Sequence, residues 1–503
     1  MNVGGKTRTY LPRKGQDPPK STRSRDWEER APVAVRGSLA NDYPPRVQIR
    51  VPLAAEIAAA RGVAALSRFA GAGGGTTVPG KLLSKLDPGA IDRLAARLPA
   101  GSALVSATNG KTTTAAMGAE ILRGRFRLAH NRSGANLVSG VASTLLAADG
   151  AELGLLEVDE GALPEVLRRL RPRAVCLGNL FRDQLDRYGE LELVAGRWRS
   201  AVAALDEEAR LIVNGDDPPL GALADVHRLT TVYGLDDPSV ARPALQHAAD
   251  STHCVRCGTP YEYAAAYVGH LGDYHCPNCG HSRPALDIAA RAVELHGLER
   301  AAFDLVVPEG TRRIELALPG LYNVYNAVGA AALARALGAT LDEIEAGLGR
   351  FSAAFGRFER IPVGDKRILM LLIKNPAGAN EAVRTLVDGG APRVAIVALN
   401  DAIADGRDVS WIWDVDFEPL LDGLERLVAT GSRAAELALR CKYAGFPDER
   451  IEVVPDLRAA LDRGLALSPS DELVVLPTYT AMLALRKIIG ELGHVRPYWE
   501  RAA

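Results

Sequence analysis

The chain has little of what marks membrane proteins or nucleic-acid-binding proteins. No apolar run approaches the ~18 residues that a membrane-spanning helix needs. The basic N-terminal stretch lacks the apolar segment of a secretory signal, so we expect a cytoplasmic protein. Only 5% of the 503 residues are aromatic and the formal net charge is −1, which argues against extended base-stacking or phosphate-binding surfaces.

Cysteine is also scarce, with six residues in the chain. Four of them form two C-x₂-C pairs, each followed by glycine: Cys254 and Cys257, then Cys276 and Cys279. Such paired knuckles predict a closed, structural Zn²⁺ site with four thiolate ligands, in a ribbon over about residues 250–285. Iron in the same site and a pair of disulfides are the alternatives.

The sequence around Lys111 predicts a phosphate-binding turn. It follows an apolar strand at residues 103–105 and precedes a helix at 115–122. Backbone N–H groups and the helix dipole at such a junction attract anions. Lys111 is predicted to neutralise phosphate charge and Thr112 to bind Mg²⁺. An ordinary strand-to-helix turn is the alternative, because Val105 replaces the first glycine of the strict motif.

Three acidic segments, at residues 157–160, 179–186 and 214–218, follow predicted strands. The carboxyl ends of parallel strands share one sheet edge, so these acids are expected beside the phosphate turn. Carboxylates next to a triphosphate serve mainly as Mg²⁺ ligands.

The alternation of strands and helices predicts two α/β domains with parallel sheets after a polar, basic tail. We predict a disordered tail at 1–48, a central ATP-binding domain at 49–360 and a C-terminal α/β domain at 361–503. In the last of these, the loop at 400–416 combines several aspartates with two tryptophans. It is either a site, a partner interface or an acidic surface loop.

Several of these segments resemble the ATP-dependent Mur ligases. The matching segments are 107–113, 157–160, 183–186 and 319–326. The cysteine ribbon and the 400–416 loop narrow the resemblance to the MurT branch, the synthetase subunit of lipid II isoglutaminyl synthase. It covers about residue 51 to the C-terminus. It implies an α/β fold with a Mur-ligase-like central P-loop domain, an inserted Cys₄ zinc ribbon and a C-terminal doubly wound α/β domain.

The resemblance implies a reaction. ATP phosphorylates the α-carboxylate of D-glutamate in the lipid II stem peptide, and ammonia then forms D-isoglutamine. The implied Mg²⁺ ligands are Thr112 and Glu157, with Glu160 and Asp183 as weaker candidates. The implied nucleotide-binding residues are Thr108, Asn109, Gly110, Lys111, Thr112, Thr113, Asn323 and Asn326. The implied substrate-binding residues are Asn131, Arg132, Ser133, Asn136 and Arg357.

Two departures from the Mur pattern matter. Gln184 stands where amino-acid-adding Mur ligases have histidine, and residues 373–378 replace their Asp-Tyr-Ala-His-Asn-Pro motif. The loss of that acid and histidine suits an enzyme whose nucleophile is ammonia, and it leaves the ATP contacts of the C-terminal domain open.

A glutaminase is not evident in this chain, so the ammonia must come from elsewhere. The resemblance implies a GatD-type glutaminase partner and action at the inner membrane face, where lipid II lies. In this family the synthetase subunit donates an aspartate that orients the partner's catalytic histidine. We expect it in the 400–416 loop, with Asp401 first and Asp405, Asp408 and Asp414 behind it.

Three other functions fit parts of the sequence. A self-sufficient Mur or folylpolyglutamate-type ligase would act on an amino acid without a partner. A nucleic-acid-associated P-loop protein would need a basic ribbon, but residues 253–283 contain two arginines and no lysine. A catalytically dead scaffold is disfavoured by the intact Lys111, Thr112 and Glu157.

Overall fold

The computed structural model describes residues 77–132, 134–183, 190–247, 249–352, 357–469 and 471–493. The predicted tail at 1–48, Ser133, Gln184 and the side chain of Arg357 lie outside the described part. The described residues belong to one compact unit with two large sheets. None of the described helices combines the length and the apolar character that crossing a membrane would require.

The first sheet has nine strands in the order β11-β10-β9-β6-β5-β4-β1-β3-β2. Its strands run parallel from β2 to β9, and β10 and β11 add two antiparallel strands. The bounds, including a separate hairpin of β7 and β8, are β1 Ser102–Ser106, β2 Leu128–His130, β3 Leu153–Glu157, β4 Ala174–Leu177, β5 Arg210–Asn214, β6 Thr230–Leu235, β7 Glu262–Val268, β8 Leu271–His275, β9 Ile288–His296, β10 Arg300–Val307 and β11 Gly310–Leu316.

Helices cover both faces of this sheet, which explains why its central strands are mainly apolar and buried along their whole length. Every residue of β1, β3 and β4 is buried. Alternate side chains enter different cores, with Val105 and Leu155 on one face and Leu104 and Leu156 on the other. The helices are α1 Val78–Leu86, α2 Ala90–Ala95, α3 Lys111–Leu122, α4 Val138–Ala147, α5 Leu163–Leu170, α6 Leu191–Ala203, α7 Pro218–Gly221, α8 Leu321–Ala336 and α9 Leu341–Arg350.

The second sheet has six strands in the order β12-β13-β17-β14-β15-β16, all parallel except β12. The predicted domain boundary at residues 360 and 361 falls inside β12, which pairs with β13. The elements are β12 Arg357–Val363, β13 Lys366–Leu371, α10 Pro376–Asp388, β14 Val394–Ala398, α11 Glu418–Gly423, β15 Arg426–Thr430, α12 Ala434–Tyr443, β16 Ile451–Val453, α13 Leu457–Leu467, β17 Glu472–Pro477 and α14 Tyr479–Glu491.

The predicted α/β class with two parallel sheets is confirmed. The sequence did not predict most of the elements that lie outside the repeat of parallel strands and helices. Examples are β9 to β11, in which buried and exposed residues do not alternate regularly. Both parallel sheets end their strands at edges where loops carry polar side chains, and the site lies at these edges.

Candidate nucleotide and acyl-phosphate site

The turn between β1 and α3 has the geometry of a phosphate-binding loop. Gly110 precedes α3 with a left-handed φ of 85°. A Cβ atom there would lie 2.0 Å from Asn326 Oδ1, so the position needs glycine for conformation and for space. The backbone N–H of Asn109 donates to Asn179 Oδ1 at 2.8 Å, and Asn179 Nδ2 donates to the carbonyl of Asn109 at 2.9 Å. The turn is therefore fixed to the loop after β4.

Lys111 is the first residue of α3 and is only 5% exposed. Its Nζ donates to the carbonyls of Ala107 at 2.9 Å and Thr108 at 3.3 Å, and to Glu160 Oε2 at 2.9 Å. Burial disfavours its charge, but the carboxylates of Glu160 and Glu157 outweigh this and raise the pKa of Lys111. Lys111 therefore remains a cation at the mouth of the loop, where a phosphate would bind.

A second lysine reaches this site from the other sheet. Lys374, in the loop between β13 and α10, forms an ion pair with Asp183 after β4. Burial opposes the ionisation of Glu160, yet Lys111 and Lys374 together lower its pKa. Burial raises the pKa of Asp183, and Lys374 offsets this only in part. Two lysines and two acids thus alternate beside the phosphate-binding loop, and Lys374 was not identified from the sequence.

Replacing Lys374 with alanine is expected to weaken ATP use. The change leaves Asp183 and Glu160 with one cation fewer at the point where phosphate charge would bind. Loss of a charge-assisted contact corresponds to a fall of roughly 10- to 100-fold in kcat/KM for ATP. Steady-state kinetics with varied ATP measure this. Lys487→Ala is the matched control, because that lysine is 79% exposed and its ion-pair partner among the described residues is Glu491 in α14. An equal loss in both variants would contradict the assignment.

Glu157 is the last residue of β3, and one oxygen of its buried carboxylate makes no hydrogen bond to the described residues. It is 1% exposed, and its Oε1 accepts from Asn136 Nδ2 at 3.0 Å. Its Oε2 is buried without a hydrogen-bond partner in the described part of the chain, and the same holds for Asp183 Oδ1. Such orphaned carboxylate oxygens suit a divalent cation, which takes oxygen ligands. The residues therefore fit Mg²⁺, although these acids form no compact ligand cluster among the described residues.

Of the residues predicted to bind substrate, Asn131 supports Glu157. Its Oδ1 accepts the Glu157 backbone N–H at 2.8 Å, and its Nδ2 donates to the Glu157 carbonyl at 2.8 Å and the Ala135 carbonyl at 3.0 Å. Asn131 is 3% exposed, so its amide positions the end of β3. Arg132 next to it is exposed.

The predicted adenine-side residues lie on α8, against the loop. Asn326 Oδ1 accepts from Thr114 Oγ1 at 3.3 Å, and Asn326 Nδ2 donates to Asn323 Oδ1 at 3.2 Å. Asn323 Nδ2 donates to the carbonyl of Pro319 at 2.8 Å. A cleft beside them is lined by residues from both sheets and the hairpin, among them Asn109, Gly110, Asn326, Val268, Phe358 and Lys374.

A reciprocal pair of amides joins the two sheets directly. Asn109 Nδ2 donates to Asn375 Oδ1 at 3.2 Å, and Asn375 Nδ2 donates to Asn109 Oδ1 at 3.0 Å. Asn375 also caps α10, because its Oδ1 accepts from the Gly378 N–H at 2.9 Å. The segment at 373–378, whose ATP contacts were left open by the sequence, therefore touches the phosphate-binding loop.

The third acidic segment supports the fold. Asp216 Oδ2 accepts from the hydroxyl of Tyr325 at 2.6 Å and the N–H of Leu235 at 2.8 Å, and Arg283 bonds its Oδ1 at 3.1 Å. Burial raises the pKa of Asp216 to about 6 against the opposing charge of Arg283. Asp217 accepts the N–H of Leu180 at 2.7 Å. These carboxylates are already occupied, so they are poor candidates for Mg²⁺.

The four ribbon cysteines converge on one point. Their sulfur atoms all lie within 4.8 Å of one another, and the pairs Cys254–Cys279 and Cys257–Cys276 are 3.5 Å apart. Ligands on a tetrahedral Zn²⁺ at about 2.3 Å would be separated by about 3.8 Å. All four are free thiols, and Gly258 and Gly280 turn the chain after each pair with φ near 75° and 72°. The geometry fits a Cys₄ metal site.

Removing one sulfur should therefore release a metal and loosen the ribbon. We expect Cys257→Ser to lose about one bound Zn²⁺ per chain and to lower the melting temperature, because metal binding contributes folding free energy. Elemental analysis and thermal denaturation measure both effects. Cys441→Ser removes a buried cysteine outside the ribbon; it should keep the full metal content, and equal metal content in the two variants would contradict a Cys₄ site.

The four aspartates of the 400–416 loop have different surroundings. Asp405 is 5% exposed, and its carboxylate accepts from the N–H and the hydroxyl of Thr480 at 2.8 and 2.5 Å. Asp401 accepts from Ser432 Oγ at 2.8 Å, and Asp414 lies 3.3 Å from Arg182. Asp408 is exposed, and within the described part of the chain it accepts from Ser410 of its own loop, which lowers the pKa of Asp408. Asp408 thus offers the most accessible carboxylate.

Comparisons with known proteins identify the fold and the family of this chain. Residues 105–281 match the family model of the Mur ligase middle domain, and residues 372–482 match that of the MurT ligase C-terminal domain. A pseudomurein peptide ligase type C from Methanothermus fervidus superposes with a TM-score of 0.62 at 20% identity, covering 80% of both chains. MurF from Thermotoga maritima, in complex with ADP, gives 0.58 at 14% identity, covering 84% of this chain and 85% of that one.

The fold and site thus define a Mur ligase, a class of ATP-dependent ligases. Subunit MurT of lipid II isoglutaminyl synthase (glutamine-hydrolyzing) from Streptococcus pneumoniae is 34% identical over 84% of this chain and 94% of its own length. The same subunit from Staphylococcus aureus strain N315 is 30% identical over 81% of this chain and 91% of its own. The chain belongs to the MurT family.

Proposed function

We propose that this chain is the synthetase subunit of a lipid II isoglutaminyl synthase. It amidates the α-carboxylate of D-glutamate in the lipid II stem peptide, uses ATP, and acts at the inner face of the cytoplasmic membrane. The observation that carries this proposal is a phosphate-binding loop whose Lys111 faces Glu160, beside a buried Glu157 with a free oxygen. The similarity to MurT subunits, over 84% and 81% of this chain, supports the choice of substrate.

The reaction we propose has two steps. The substrate carboxylate attacks the γ-phosphorus of ATP, which gives an acyl phosphate and ADP. Ammonia then attacks the acyl carbon, phosphate leaves with the C–O bond electrons, and a proton is lost from nitrogen. Lys111 neutralises charge on the phosphate during the first step, and the N–H groups at the start of α3 bind phosphate oxygens.

We assign Mg²⁺ to Thr112 and Glu157, with Asp183 nearby. When bound, this ion would neutralise phosphate charge and polarise the γ-phosphate. Asn136 holds one oxygen of Glu157 and leaves the other available. Asn323 and Asn326 lie on α8, next to the loop, on the side we assign to the adenine. We assign the exposed Arg132 to contacts with the acceptor.

The cysteines point to an external source of ammonia. Four of the six belong to the ribbon site, and burial raises the pKa of both Cys176 and Cys441 to about 12. A thiol of that kind is a poor nucleophile at neutral pH, so this chain lacks a cysteine able to hydrolyse glutamine. We therefore assign glutamine hydrolysis to a GatD-type partner.

Exposed apolar residues of α12 and the 400–416 loop form the docking surface that we propose for this partner. Trp413 and Tyr443 are 48% and 73% exposed, and their rings make an edge contact at 5.8 Å. Leu439 and Ile403 are also exposed, at 46% and 74%. Aromatic residues of this kind dominate protein interfaces. Asp408 lies on the same loop as Trp413 and would orient the partner's catalytic histidine.

Amidation of lipid II, followed by mass, tests the proposal. The reaction is run with ATP and glutamine, with and without a co-expressed GatD-type glutaminase, and with free ammonium as a bypass. We expect product with the partner or with ammonium, and none with glutamine alone. ATP turnover stimulated by a free amino acid, without amidation in any arm, would instead establish an amino-acid ligase.

A further inference from the structure

A groove beside the site is lined by both apolar and charged residues, a combination that suits an amphiphilic ligand. It lies between α1, α4, the start of α5 and α6, and has a volume of about 860 Å³. Two of its lining residues, Val78 and Leu137, are large apolar side chains left 43% and 39% exposed. Leu137 follows Asn136, whose amide holds Glu157, so the groove opens next to the carboxylate that we assign to catalysis.

The walls of the groove are fixed before any ligand binds. The backbone N–H of Gly80 on α1 donates to Ser143 Oγ on α4 at 2.9 Å. A Cβ atom on Gly80 would lie 1.9 Å from the carbonyl oxygen of Ser139, so the two helices touch. Leu83 is buried at the same contact, which leaves Lys81 and Lys85 on the exposed side of α1.

Three cations line the groove: Lys81, Lys85 and Arg197. Among the described residues none of them has an ion-pair partner. Two acids also line it, but Glu165 is paired with Arg169 at 3.1 Å and Asp159 accepts the Gly161 N–H at the start of α5. The two lysines are four residues apart on one helix face, roughly 6 Å between their Cβ atoms, a span that suits the two phosphates of a diphosphate.

We propose that this groove binds the polyprenyl diphosphate of the lipid-linked acceptor. The lysines and Arg197 hold the diphosphate, and Val78, Leu82 and Leu137 cover the first isoprene units. Apolar surface next to unpaired cations matches a ligand that joins an anionic head to a hydrocarbon chain. The inference rests on the proposed function, because it assigns the carrier end of the same substrate whose carboxylate lies near Glu157.

The test compares two acceptors in the ammonium-driven reaction, which needs no partner. One is lipid II and the other is the same glycopeptide without the diphosphate and lipid. Lys81→Glu with Lys85→Glu should raise KM for lipid II about tenfold or more, since it replaces two charge-assisted contacts by repulsion. KM for ATP and for the soluble acceptor should stay within about twofold, because no contact to them is lost.

Two controls separate charge at the groove from charge in general. Lys81→Arg with Lys85→Arg should keep lipid II use close to wild type. Lys487→Glu, at an exposed position of α14, should do the same. An unchanged KM for lipid II in the glutamate variant would overturn the proposal. Equal losses with both acceptors would overturn it too, because they would show damage to the catalytic site.

A direct binding measurement tests the groove independently of the proposed amidation activity. Farnesyl diphosphate should bind wild type and compete with lipid II, and the glutamate variant should lose this binding. Inorganic pyrophosphate that competes as well as farnesyl diphosphate would overturn the lipid assignment. If wild type amidates neither acceptor, the proposed function fails, and the farnesyl diphosphate measurement still decides the groove.

Discussion

Lys111→Met is expected to lower kcat/KM for ATP-dependent amidation by about 10²–10³-fold, because it removes the cation aimed at the transferred phosphate. The same change leaves Glu160 buried without its nearest partner, which costs about 3–5 kcal/mol of stability. A simple loss of activity would therefore mix two effects. Activity and free energy of unfolding must be measured on the same preparations.

A double variant separates these effects. Lys111→Met with Glu160→Gln removes the unpaired charge, so most of the lost stability should return while the activity stays low. Asp159, whose charge also raises the pKa of Lys111 but less than that of Glu160, offers the control Asp159→Asn. Recovery of activity in the double variant would show that Lys111 serves the fold and not the phosphate.

The pair also predicts a pH dependence of stability. The folded-state pKa of Glu160 lies below its ordinary 4.5, with Lys111 the main favourable cause after the opposing effect of burial. Its contribution to stability is therefore complete above pH 4.5 and is lost as the pH falls through the lower, folded-state pKa. In Lys111→Met this acid-side loss should disappear or reverse, because burial then disfavours the ionised Glu160 and protonation at lower pH relieves that cost. Urea unfolding at several pH values measures it.

Asp408→Asn is expected to lower amidation that uses glutamine while leaving amidation that uses ammonium unchanged. If Asp408 orients the partner's histidine, glutamine-dependent amidation should fall by up to about 10⁴-fold, since an amide selects the wrong tautomer. Ammonium-dependent amidation should stay near wild type, because the phosphate-binding residues lie on other loops. Product formation from each nitrogen source in the assembled complex gives the ratio.

The other aspartates of the loop serve as internal controls. Asp401→Asn and Asp414→Asn keep the size of the side chain and should leave the glutamine-dependent rate largely intact. Asp405→Asn should instead lower stability, because Asp405 anchors the start of α14 through Thr480. A selective loss in Asp401→Asn would restore the first choice made from the sequence, and a parallel loss of ammonium use in Asp408→Asn would exclude the orienting role.

Local patterns in the sequence predicted the phosphate-binding turn, the cysteine ribbon and the α/β class. Each depends on residues within a few positions, such as Gly110 with Lys111, or on a short repeat of spacing. Lys374 could not be found in this way. Its partner Asp183 is 191 positions away, and only the approach of the two sheets brings them together.

For the same reason, the sequence cannot show which of the acids is available to bind a cation. Glu157, Asp183 and Asp216 all follow parallel strands, so the sequence predicts one sheet edge for all of them. Which of them keeps a free oxygen depends on distant partners, such as Tyr325 and Arg283 at Asp216. The structure therefore separates acids available to a cation from acids that hold the fold together.

The reciprocal amide pair of Asn109 and Asn375 couples the phosphate-binding loop to the start of α10. Any ligand that steadies the loop at Asn109 also steadies the cap of α10, because the two side chains exchange hydrogen bonds. Nucleotide binding should then slow amide hydrogen exchange in the first turn of α10. Occupation of the phosphate-binding loop would thus be detected on the second sheet, which also carries the loop that we propose for the glutaminase partner.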